Sequence, residues 1–129
     1  MTLENALKAF RRMGYKYGEA ANGLIISANA QQMSIVVAQS YSVMSGGSAL
    51  AIMHRAERTI EMAGAGSLYF RTVDDVFNDL LKGHNFPFIA LTQLALVEGG
   101  VSMEHQLIAQ HRSPTIPEVD RKWLTLENV

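Results

Sequence analysis

Ser45-Gly46-Gly47-Ser48 is the stretch of this sequence whose residue types could do chemistry on a ligand. Glycines between two serines, as a link from a strand into a helix, would turn backbone N–H groups and a positive helix end toward an anion. Arg55 and Arg58 follow two turns further on and would supply counter-charge to a small phosphorylated ligand. No lysine follows the glycines, so the stretch is neither a G-x-x-x-x-G-K-[ST] loop nor a dinucleotide fingerprint. An ordinary connection closed by a serine cap accounts for the same residues and is the favoured reading.

Histidines and carboxylates open the other routes to chemistry. His54, His84, His105 and His111 are scattered, and the last two would stand about 120° apart on a helix. There is no H-E-x-x-H, and the absence of cysteine removes thiolate ligands, nucleophiles and disulfides together. Asp74, Asp75 and Asp79 crowd one segment, but the first two suit the opening turn of a helix. No acid–base pair and no G-x-S-x-G stands out. The sequence therefore assigns no catalytic residue, no metal site and no cofactor.

A third route is nucleic acid. The C-terminal segments, joined by Gly99-Gly100 and Ser113-Pro114, could form a degenerate helix-turn-helix with Arg112, Arg121 and Lys122 toward DNA. Pro117 would fall inside its recognition helix, and Glu118 and Asp120 would face phosphates. A packed helical cap is the simpler reading. With 11 basic and 12 acidic residues and a net charge of −1, no global field would gather nucleic acid.

The elements that must position these residues follow from periodicity. Thr2 caps a helix whose apolar stripe is Leu3, Ala6, Leu7, Phe10 and Met13. Asn22-Gly23 suits a tight hairpin turn before Leu24–Ile26. The β-branched run Ser34–Ala38 predicts a further strand, so a small antiparallel sheet is expected between Tyr15 and Val43. A second helix is expected from Ser48 to Ala63, then a short strand at Leu68–Phe70. Thr72-x-x-Asp75 resembles a capping box and opens a third helix. Phe88 to Val97 is apolar nearly all round and is expected as a helix, either central or covered by another subunit. Helices are also expected after Ser102 and after Thr115.

The expected fold is thus α+β, a small antiparallel sheet packed with helices, with a helical C-terminal third. Residues 1–129 make one domain with no linker or repeat. No apolar run reaches the roughly 20 residues of a membrane span, and the N-terminus does not resemble a signal peptide, so a cytoplasmic setting is expected.

Three functions compete. The leading one is a non-enzymatic regulator, inhibitor or adaptor, of phage or mobile-element character, acting through protein contacts or self-association. Its interface candidates are Leu50, Met62, Phe88, Leu91 and Leu94. The alternative is a binder of a small phosphorylated ligand or nucleotide at Ser45–Ser48 with Arg55 and Arg58. A DNA-binding regulator comes third.

Overall fold

Thr2 caps the first helix as the sequence predicts. Its hydroxyl accepts the Asn5 N–H at 3.2 Å, and α1 (Leu3–Tyr17) buries Leu3, Ala6, Leu7, Phe10 and Met13. The structure is a computed structural model that describes every residue except Gly47, Ser48, Ala49, Asp79, Leu80, Lys82 and Asn128.

Six strands form one sheet: β1 (Gly23–Ser27), β2 (Ala51–His54), β3 (Thr59–Met62), β4 (Ser67–Thr72), β5 (Phe88–Thr92) and β6 (Lys122–Leu126). Their order is β2-β3-β4-β1-β5-β6. β4, β1, β5 and β6 run parallel, with Ile25 beside Phe70 on one side and Ala90 on the other. Antiparallel pairing is confined to one edge, where β2 and β3 form a hairpin and β3 lies against β4.

The remaining helices are α2 (Ala30–Ser45), the short α3 (Val73–Phe77) and α4 (Gln93–Ile108), which kinks where Gly100 takes a φ of 62°. They cover both faces of the sheet. Phe10, Val36 and Met44 of α1 and α2 pack with Ile25, Phe70 and Phe88. Val76, Met103 and Leu107 of α3 and α4 pack with Ile26, Ile89 and Leu91. Neighbouring strand residues thus feed opposite cores, as strand alternation requires.

The expected small antiparallel sheet and helical C-terminal third are therefore corrected to a mixed, mostly parallel sheet that ends in a strand. Each error has a physical cause. Strands buried on both faces read as continuous apolar runs, and both Gly23–Ser27 and Phe88–Thr92 are buried at every position. Over five residues such a run cannot be told from a buried helix, so the expected Phe88–Val97 helix is β5 followed by the first turn of α4. Ser34–Ala38 lies in α2 because Asn29 and Gln32 start a helix that tertiary packing sustains. Of the helix expected over 48–63, Ser48 and Ala49 lie outside the described residues, and 51–62 form the β2–β3 hairpin, whose β3 alternates buried Ile60 and Met62 with exposed Glu61. After Pro117 the chain makes one 3-10 turn, Glu118–Asp120, before β6. Asn22-Gly23 forms no hairpin turn. Asn22 accepts the Ser67 N–H, and a side chain at Gly23 would lie 2.8 Å from the Phe10 ring.

The outer edge of β6 meets the chain's first residue. The Met1 amino group donates to the Thr125 carbonyl at 3.2 Å, and the Glu127 N–H donates to the Met1 carbonyl at 2.8 Å. Together these two bonds form a parallel bridge opposite Leu126.

Candidate functional site

The chain leaves β1 into α2 on one face of the sheet and leaves β5 into α4 on the other. Between the carboxyl ends of β1 and β5 the direction of winding therefore reverses, which is where open α/β sheets form their ligand crevice. Ser27, Asn29, Gln32, Thr92 and Gln93 lie there. Asn29 caps α2 by accepting the Gln32 N–H at 2.9 Å, and Thr92 caps α4 by accepting the Ala95 N–H at 3.1 Å. The Gln32 Oε1 accepts both the Ala28 N–H and the Thr92 hydroxyl, each at 2.8 Å, while its Nε2 donates to the Val129 carbonyl at 3.2 Å. One amide thus joins β1, β5 and the C-terminal residue. The Ser27 hydroxyl is fully buried and has no hydrogen-bond partner among the described residues. This crevice is polar and holds no charged side chain, with Ser27, Gln32 and Thr92 buried and Asn29 and Gln93 exposed.

A second feature stands at the same end of the sheet, on the other side of the first turns of α2. It is an open groove of about 410 Å³ between α2 and the β2–β3 hairpin. Met33, Val37, Ala38, Tyr41 and Met53 form its apolar wall, and Ser34, His54, Arg55, Arg58 and Thr59 its polar rim. Arg58 sits in the hairpin turn with a φ of 54°, an unusual backbone for a non-glycine residue. Its guanidinium donates to the Asp75 carboxylate at 2.7 Å. Asp75 also accepts the Thr72 N–H at 2.8 Å while Thr72 Oγ1 accepts the Asp75 N–H, so the capping box expected from the sequence is formed. Burial alone would raise the Asp75 pKa, but the Thr72 N–H and the Arg58 guanidinium outweigh it and hold the carboxyl below its ordinary value. Behind them Arg71 is half-buried and donates to the Phe70 and Arg58 carbonyls at 2.7 and 3.3 Å. Burial, followed by the repulsion of Arg58, lowers the Arg71 pKa. The guanidiniums of Arg58 and Arg71 thus stand at one corner of the sheet, with the Asp75 carboxylate held by Arg58.

The sequence-predicted residues are dispersed. Ser45 and Gly46 end α2, the Ser45 hydroxyl bonding back to the Tyr41 carbonyl at 2.6 Å. The loop follows a helix C-terminus and leads toward β2, so the expected order of strand, loop and helix is reversed. Gly47 and Ser48 lie outside the described residues. Arg55 and Arg58 come together on the groove. Of the interface candidates, Met62, Phe88 and Leu91 are buried in this chain's own core, whereas Leu50 and Leu94 are 63% and 46% exposed. The described residues of the C-terminal third form no helix-turn-helix. Arg121 instead donates to the Ile116 and Ser113 carbonyls, tying down the loop before β6. Arg112 donates to Asn85, and Lys122 begins β6. His54 bonds Glu61 at 2.9 Å across the hairpin rather than along a helix. No described helix is long and apolar enough to cross a membrane.

Sequence reasoning missed Ser27, Gln32 and Thr92. A usable signal was present for Gln32, since Asn29 with a glutamine three residues later has the form of a helix start.

No protein-family model matches the sequence, and no curated protein does. Solved structures share the fold. The large terminase of a thermophilic bacteriophage aligns at a TM-score of 0.64 with 17% identity, over 92% of this chain and 29% of that one. The same phage's large terminase in complex with ADP aligns at 0.61 with 13% identity over the same shares. The ATPase domain of a Thermus phage large terminase aligns at 0.58 with 13% identity, over 95% of this chain and 53% of that domain. The chain thus spans about half of an ATPase domain and less than a third of a whole large terminase. This likeness corrects the expected non-enzymatic regulator or adaptor, since the chain shares its fold with about half of a phage large-terminase ATPase domain. Of the functions weighed from the sequence, nucleotide binding agrees with it better.

Proposed function

We propose that this chain is a nucleotide-binding core of ATPase type. Its groove holds the phosphates of an ADP- or ATP-like ligand against Arg55 and Arg58, and the base against the apolar wall around Tyr41 and Met53. The observation that carries this reading is the pairing of two guanidiniums with an apolar wall in one groove of about 410 Å³, within the size range of small-molecule sites. Planar guanidiniums meet phosphate oxygens two at a time, and an aromatic or thioether wall suits a purine face. Two further observations support it. The groove opens at the carboxyl end of the sheet, where α/β folds bind ligands, and one structure with the same fold carries ADP.

The test is calorimetric titration of the whole chain with ADP. Wild type should bind, and Arg55→Ala with Arg58→Ala should weaken binding about tenfold or more, roughly 1.4 kcal/mol. Arg58 also anchors Asp75, so the exposed Arg55→Glu serves as the variant that leaves the fold intact. Absence of ADP and ATP binding by wild type overturns the reading.

A further inference from the structure

We propose that this groove takes its nucleotide free of a divalent cation, an inference that rests on the nucleotide-binding reading above. Magnesium is held in nucleotide sites by one or two carboxylates together with the phosphates. The residues here do not fit that role. Among the described residues, no aspartate or glutamate lines the groove. The carboxyl ends of β1 and β5 carry Ser27-Ala28-Asn29 and Thr92-Gln93, which are neutral throughout. Of the nearby acids, Glu57 in the hairpin turn and Asp74 after β4 are exposed and stand outside the groove lining, and Asp75 and Glu61 are already engaged. Asp75 accepts from Arg58 and from the Thr72 N–H, and Glu61 bonds His54. At the end of β6, Glu127 pairs with the Met1 amino group at 2.9 Å. Among the described residues, no three histidine or acidic side chains converge on a point.

What faces the groove instead is cationic. Arg55 and Arg58 can neutralise phosphate oxygens directly, and a bound cation would add like charge beside them. Magnesium on the nucleotide also spends the phosphate charge the guanidiniums would use. Metal and protein therefore compete for the same oxygens.

The deciding experiment titrates the full chain with ADP, once in magnesium chloride and once in EDTA at matched ionic strength. The expected result is binding in EDTA that equals or exceeds binding in magnesium, by up to about threefold. Arg55→Glu should lower affinity in both buffers. Any clear tightening of ADP in magnesium, by about threefold or more, overturns this inference while leaving the nucleotide site standing. Failure to bind in either buffer overturns the nucleotide reading and this inference with it.

Discussion

Two polar regions share the carboxyl end of the sheet, and they are built oppositely. In the crevice between β1 and β5, Ser27, Gln32 and Thr92 are buried and neutral, and Gln32 and Thr92 are spent on one another and on the backbone. In the groove beside the hairpin the polar side chains are half-exposed, charged and only partly spent, with Arg58 shared by Asp75 and open space. The winding rule alone would place a ligand in the crevice. The proposed function puts it in the groove instead, because Gln32 and Thr92 already satisfy their neighbours and have little to offer a ligand. Gln32 is a clamp across the switch point, and in the proposed function Arg55 and Arg58 are the recognition groups.

That contrast can be broken. Gln32→Leu should cost the most, about 2–4 kcal/mol in urea unfolding, since it leaves the Ala28 N–H and the Thr92 hydroxyl buried without their acceptor. A loss under about 1 kcal/mol would mean that the crevice is not a clamp. Acid should then separate the regions. Asp75 sits below its ordinary pKa in the fold, so it contributes stability that is full above the unfolded carboxyl value near 3.9 and fades as pH falls through the lower folded value. Asp75→Asn should flatten that part of the stability–pH curve, and should tighten ADP binding by releasing Arg58. An unchanged curve would remove the carboxylate from the groove's electrostatics. Ser27→Ala should have the smallest effect, within about 0.5–1 kcal/mol of wild type, because the hydroxyl it deletes lacks a described partner. A larger loss would show that Ser27 belongs to the hydrogen-bonded crevice after all.

The sequence was legible where structure is local. The Thr2 cap with its apolar stripe and the Thr72–Asp75 box are set by residues three or four apart, and both form as expected. The sequence marks Arg55 and Arg58 as counter-charges on a helix, and the hairpin brings them together instead. The parallel sheet was not legible. β1 joins Ile25 to Phe70 and to Ala90, partners far along the chain with no turn between them to announce the pairing. The runs that make such strands carry neither alternation nor helical period. The same distance hid the crevice, since Gln32 and Thr92 are separated by 60 positions.

The parallel bridge between Met1 and β6 has a practical consequence for handling the protein. Edge strands recruit any extended peptide laid beside them. Polypeptide fused ahead of Met1 would arrive already in register and already pointing the right way to extend the sheet along β6. A purification tag there would not be an inert appendage, whereas one after Val129 would start from beside the Gln32 clamp. Each of these positions is thus a poor place for a label, for different reasons, and the exposed β2–β3 turn is where the ligand is expected.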